Sequence, residues 1–232
     1  RVPQKPLPWE TASGGSTGEA PSGDVWNSFL RGGYPELTVN PDRDIPLWQA
    51  SYVQTYLERD IRGLRQIGDL TQFQSFLRVL AARSAQIVNF SGIARDLGVA
   101  LNTVKSWVSL LEATFQIMVL RPYHANIGKR LVKSPKVYFT DTGTLCHLTG
   151  LRDPVHAASG PMSGQILETA VLSEIVRTLT HRGVDPEVYF WRTSVGTEVD
   201  FVVGHESGLV PLEVKQTATP RSAMANAVRT FM

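Results

Sequence analysis

The sequence predicts an α+β fold in three parts: a helical segment, a helix-turn-helix leading into a β-hairpin, and a C-terminal αβββα unit. Three observations carry this. Apolar residues recur at helical spacing through the first half of the chain. A short helix, a glycine turn and a second helix then run into strand-like sequence and a basic loop. Beyond residue 186 the pattern switches to period two, with charges kept to one face of each strand.

Taken in order, residues 1–23 are rich in Pro, Gly and Ser (SGGSTG, APSG) and read as a flexible linker. Residues 24–84 read as helical. Trp26–Leu30 forms a short helix stopped by Gly32–Gly33, and a second runs from about Pro46 to Ile67 on Trp48, Tyr52, Tyr56, Ile61 and Leu64. After Gly68–Asp69 a third, from Leu70 to about Ala82, carries Phe73, Phe76, Leu77 and Leu80 on one face. Residues 85–150 follow the plan of a winged helix-turn-helix. Ser91–Leu97 is the first helix, Gly98–Val99 the turn and Asn102 the expected N-cap of the second. Val104, Val108, Leu111 and Phe115 form its expected buried stripe. Ile117–Leu120 reads as a strand, GKRLVKSPK as the wing tip and VYFTD as the returning strand. In residues 160–232 a helix runs from Ser163–Gly164 to about His181, with Ile166, Ala170, Leu172, Ile175, Val176 and Leu179 as its apolar body. Strands at Glu187–Arg192, Glu198–Val203 and Leu209–Lys215 follow, joined by SVGT and GHESG turns, and a last helix begins near Ser222.

Composition narrows the function classes. With 232 residues, 42% hydrophobic and 19% charged, the chain can bury a substantial core and is not of disordered type. No run approaches the roughly 18 apolar residues of a membrane helix, and the start shows no signal peptide. The lone Cys146 fits a reducing cytoplasm. Net charge is only +2, but Arg83 to Lys136 holds eight cations against Asp96 and Glu112. Such a patch attracts polyanions. Lys105, Lys129, Arg130, Lys133 and Lys136 are therefore the candidate nucleic-acid-binding residues. The second helix's polar face (Thr103, Lys105, Ser106, Ser109, Glu112) lacks the Arg, Asn or Gln set that reads base edges. Phosphate contact is expected there, not sequence-specific readout.

The chemistry-bearing residues stand in the last part. In LVPLEVK, Glu213 and Lys215 are two apart and share a strand face; in EVDFVV, Asp200 is expected opposite Val199, Phe201 and Val203. Carboxylates on neighbouring strands can share a divalent cation through hard oxygen ligands, as Mg²⁺ or Mn²⁺ prefers. Glu168, on the preceding helix, could reach the same point. Glu174 is a second candidate, but six residues is about 240° of helix rotation, so the two cannot share a face. A solvated strand face with incidental ion pairs is the plain alternative. Arg59 in YLERDI is either a cation for a nucleotide phosphate or, more ordinarily, a helix-surface ion pair. The five histidines show no metal-ligand spacing.

In series, Glu168, Asp200 and the pair Glu213–Lys215 resemble the E…D…ExK signature of PD-(D/E)xK nucleases, in the order of their restriction-endonuclease-like αβββα core. More narrowly, GGYPE, SYVQTYLERDI, VYFTDTG, GQILETAVLSEI, FWRTSVGTEVDFVV and PLEVKQ together resemble predicted AAA+ ATPases of bacteria and archaea that carry a C-terminal domain of unknown function. The likeness runs from about Trp26 to Lys215. It implies metal ligands at Glu168, Asp200 and Glu213, with Lys215 completing the catalytic set, and a nuclease-like core truncated before its final strand. No GxxxxGK[ST] phosphate loop is present, so ATP would act only through an ATPase module preceding residues 24–84. Two functions are expected from this: a DNA-processing module with a Mg²⁺-dependent endonuclease site and a DNA-holding winged helix, or a non-catalytic regulatory module that binds nucleic acid or protein. Expected partners are DNA and the ATPase module, with no membrane, and an oligomer is compatible with both.

Overall fold

The computed structural model describes residues 22–57, 70–124, 134–205, 208–217 and 219–232. Most of the linker, Arg59, Ile61, Leu64, Lys129, Arg130 and Lys133 lie outside these. Among the described residues the fold is mixed α+β, with ten α-helices and one five-stranded sheet.

Helix α1 (Ser22–Arg31) ends where Gly32 takes φ +83°, a left-handed turn that favours glycine. A five-residue helix α2 (Pro35–Val39) follows, too short to show a periodicity in the sequence. Helix α3 (Ile45–Tyr52) is capped by Asp44, which accepts the Leu47 N–H, and it runs on as a π-turn at Val53–Leu57. In α4 (Leu70–Ala81) Phe73, Phe76, Leu77 and Leu80 are buried, as their spacing predicts. Helices α5 (Phe90–Leu97) and α6 (Leu101–Ala113) are joined by a turn in which Gly98 is left-handed. Two expectations for α6 are corrected. Ala100 is the N-cap, so Asn102 sits inside the first turn. Phe115 is 81% exposed, with φ +57°, because the helix has already ended at Ala113 and the chain reverses towards the sheet. Helical periodicity no longer governs where that side chain points.

Strands β1 (Ile117–Pro122) and β2 (Lys136–Phe139) pair antiparallel, Met118 opposite Tyr138 and Leu120 opposite Lys136. Helices α7 (Thr142–Leu148), α8 (Pro154–Ser159) and α9 (Ser163–His181) lead to the meander β3 (Val188–Arg192), β4 (Glu198–His205) and β5 (Gly208–Leu212). A 3₁₀ turn at Ser222–Ala225 and helix α10 (Asn226–Phe231) follow. The sheet order is β2-β1-β3-β4-β5, with β1 and β3 parallel. The hairpin expected as a wing is therefore continuous with the meander.

This sheet separates two cores. Ile117, Val119, Val137 and Phe139 face the helical half, packing with residues of α4, α5, α6 and α7. On the opposite face Met118, Leu120, Tyr138, Phe190, Phe201 and Val203 pack against Leu172, Ile175 and Leu179 of α9. Cross-strand partners share a face, so the hairpin's register sets both cores at once. On the helical side of β3, Phe231 of α10 meets Trp191, with ring centroids 5.4 Å apart.

Asp141, buried at the end of β2, fastens the N-terminal helices to this frame. Its carboxylate accepts the Thr144 N–H, capping α7, and the Gly33 N–H across 108 residues of chain. A Cβ at Gly32 would lie 2.5 Å from Asp141 Oδ2, and one at Gly143 would lie 2.7 Å from the Arg31 carbonyl oxygen. Gly32 lies against the carboxylate itself and Gly143 against backbone, so neither place has room for a larger residue. Asp141→Ala removes one cap and leaves the Gly33 N–H without its acceptor. It is expected to lower stability by about 2–3 kcal/mol, read as the midpoint shift in urea unfolding.

Candidate active site

Strand β4 is irregular at the point that matters. Tyr189 pairs with Val202 and Trp191 with Val199, so the single residue Phe190 faces both Asp200 and Phe201. That is a β-bulge, which lets two successive side chains turn to one side. The expectation that Asp200 points away from Phe201 and Val203 is thus corrected. Glu198 and Asp200 lie on the α9 side with Phe201 and Val203: Glu198 pairs with Lys136, and the Phe201 ring lies 5.9 Å from that of Tyr138.

Asp200, 7% exposed, accepts the Val214 N–H at 2.9 Å. The β4–β5 ladder ends at Phe201–Leu212, and the Asp200 carboxylate takes the next backbone donor in the following segment. Glu213 and Lys215 consequently lie just past β5, not within it as their alternation suggested. Lys215 Nζ is 2.5 Å from Glu213 Oε1 and 4.0 Å from Asp200 Oδ2. Gln216 Nε2 donates to the Ala158 carbonyl at 2.7 Å and moors this segment on α8.

Glu168 projects from the second turn of α9 towards the same place. The Tyr138 hydroxyl donates to its Oε2 at 3.0 Å, and Lys136 Nζ stands 3.9 Å from that oxygen. Glu174 is exposed and accepts the Thr178 hydroxyl on its own helix, and Glu168 is the glutamate of α9 that faces Tyr138 and Lys136. All four expected residues, Glu168, Asp200, Glu213 and Lys215, are near enough for the Lys215 ammonium to feel the three carboxylates.

The site also holds residues that the sequence did not offer for it. Lys136 was expected among the exposed phosphate-binding cations of the wing, and this is corrected. It is only 4% exposed, is ion-paired with Glu198 and lies 5.6 Å from the centre of the Phe190 ring. An interior cation with fixed partners cannot reach a surface phosphate. Glu198 in turn holds Arg192 at 3.0 Å. Alternation on β2 puts Lys136 and Tyr138 on one face, but nothing in sequence says that this face adjoins Glu168. Lys105 is exposed on α6, as expected.

Burial pushes the Glu168 carboxyl up to about 7; Lys136 and the Tyr138 hydrogen bond pull it down, while Asp200 and Glu198 push it further up. Burial, aided by Asp200, also raises Glu213, although Lys215 opposes it. Burial works against the Lys215 ammonium, but Glu213 and Asp200 outweigh it and the lysine stays charged. Among the described residues no three acidic, histidine or cysteine side chains form a ready-made metal cluster. The ammonium groups of Lys136 and Lys215 stand between the carboxylates instead. Glu213 Oε2 is buried without a hydrogen-bond partner, a position that a cation would satisfy. The donor set suits a hard divalent ion, provided that the half-exposed Lys215 moves aside.

Glu168 binds its proton more tightly in the folded chain than in the unfolded one. Folding therefore takes up a proton between pH 4.5 and about 7, and stability falls as pH rises through that window. Glu168→Gln removes this titration. In urea unfolding at pH 5 and pH 8, the variant is expected to show a shallower slope, with Glu213 still contributing, and to exceed the parent by about 1–3 kcal/mol at pH 8.

Residues 163–232 match the family described as "Domain of unknown function (DUF4143)". Over 193 residues, 83% of its length, the chain is 32% identical to an uncharacterized protein of Mycobacterium tuberculosis. An uncharacterized protein of Mycobacterium bovis matches with the same identity and coverage. The chain spans 43% of the length of each of these relatives. No solved structure matches. Residues 22–155, more than half of the chain, match "Domain of unknown function (DUF8612)", and the chain belongs to that family.

Proposed function

We propose that the chain is the DNA-processing part of a larger ATPase-family protein, with Glu168, Asp200, Glu213 and Lys215 forming a metal-dependent phosphodiesterase site of the PD-(D/E)xK kind. The observation that carries the reading is the convergence of three carboxylates and one lysine. They come from α9, the bulge of β4 and the segment after β5, and the bulge has turned Asp200 towards the others.

The chemistry follows from the residue types. Glu168, Asp200 and Glu213 would hold Mg²⁺ or Mn²⁺ through carboxylate oxygens. When bound, such an ion neutralises phosphodiester charge and lowers the pKa of a coordinated water. Lys215, charged and half-exposed beside Asp200 and Glu213, orients the attacking water or stabilises the developing oxyanion. The helix pair α5–α6 with its left-handed Gly98 turn, running into the β1–β2 hairpin, supports a winged-helix reading of that half. Lys105 offers an exposed phosphate contact. The ATPase module rests on the sequence resemblance, and the relatives' greater length accommodates it. No helix among the described residues is long and apolar enough to cross a membrane.

A second reading has its own observation. Lys136 and Lys215 already neutralise the carboxylates internally, as a site retained for binding alone would allow. Cleavage of linear, nicked and four-way-junction DNA with Mg²⁺ or Mn²⁺ separates the two. The nuclease reading expects metal-dependent cutting, reduced at least about 100-fold by Asp200→Asn and by Lys215→Ala. DNA binding without cutting by the folded chain selects the regulatory module.

A further inference from the structure

Tyr138 and Lys136 do not come from the stretch of chain that supplies the acidic groups. Both stand on β2, inside the first matched family, whereas Glu168, Asp200 and Glu213 lie in the second. The hairpin extends the sheet past β3, which brings Tyr138 against α9. The Tyr138 hydroxyl and the Lys136 ammonium both approach one oxygen of Glu168, Oε2. Tyr138 is fully buried, with its ring set against Phe201, so the hydroxyl has a fixed position. Ser173 Oγ donates to the Thr140 carbonyl at 3.0 Å and fixes the distance between α9 and the end of β2.

Resting on the reading of Glu168 as a metal ligand, we propose that Tyr138 is a positioning residue for Glu168, so that the two matched families build one site together. A carboxylate ligand that is free to rotate spends part of its time turned away from the ion. A rigid donor on one of its oxygens directs the other, which is how outer partners tune metal ligands. An ordinary core tyrosine needs an acceptor too, but losing its hydroxyl would change stability and leave the metal untouched.

The experiment is Mn²⁺ binding by the full chain, followed by electron paramagnetic resonance and calorimetry without DNA. Tyr138→Phe keeps the ring and its packing and deletes only the donor. It is expected to weaken Mn²⁺ binding about 10–100-fold, beyond the small fall in melting temperature that loss of one buried hydrogen bond brings. In cleavage assays kcat falls and KM for DNA holds. Mn²⁺ bound as tightly by Tyr138→Phe as by the parent overturns the positioning role and leaves the metal site standing. A parent chain that binds no Mn²⁺, or binds it equally well as Asp200→Asn, overturns the metal site and this inference with it.

Discussion

Opposite Phe190, strand β4 carries two residues where β3 carries one, and the geometry of the site depends on that extra residue. A regular strand would have to choose. If Phe201 and Val203 faced α9 to build the core, Asp200 would face the other way. If Asp200 faced α9, the apolar pair would leave it. The bulge removes the conflict: Val199 stays on the far side while Asp200 and Phe201 both turn inwards. Ending the β4–β5 ladder at Leu212 also frees the backbone that follows, and the Asp200 carboxylate takes the Val214 N–H there. The bulge that aims one carboxylate thus fixes the position of Glu213 and Lys215.

Charge balance explains why so many acidic groups can stand together beneath a helix. Glu168, Glu198, Asp200 and Glu213 are all largely withdrawn from water, which strips their carboxylates of hydration that other groups must replace. Two ammonium groups offset this, Lys136 on the hairpin side and Lys215 on the open side. Their settings differ. Lys136 is enclosed against Phe190 and fixed by Glu198, so it acts as a permanent part of the frame. Lys215 is half-exposed and can exchange its carboxylate partners for other ligands. One cation is thus fixed within the frame, and the other stands at its solvent-facing side.

The helical half is bound into the same frame, not appended to it. One face of the β1–β2 hairpin completes the helical core and the other completes the core under α9. At the end of β2, Asp141 joins α7 to the turn after α1. Disturbance in the N-terminal helices therefore has a short path to Tyr138 and Glu168, through a single strand of four residues.

The sequence alone determined the elements with strong periodicity and the residue types of the site. Helices α4, α6 and α9 were legible because their apolar residues repeat every three or four positions, and the meander because its strands alternate. Glu168, Asp200, Glu213 and Lys215 were candidates because their order along the chain resembles an E…D…ExK signature. The short helices α2, α7 and α8 were not, since five to seven residues hold too few repeats to stand out. The outward turn of Phe115 and the burial of Lys136 depend on what lies across space, which no local pattern records. Tertiary structure alone decided that β1 lies beside β3, and hence that Lys136 and Tyr138 meet a glutamate about thirty residues away. It also decided the bulge. Period-two alternation assumes one residue opposite one, and only the pairing of β3 with β4 reveals where two stand against one.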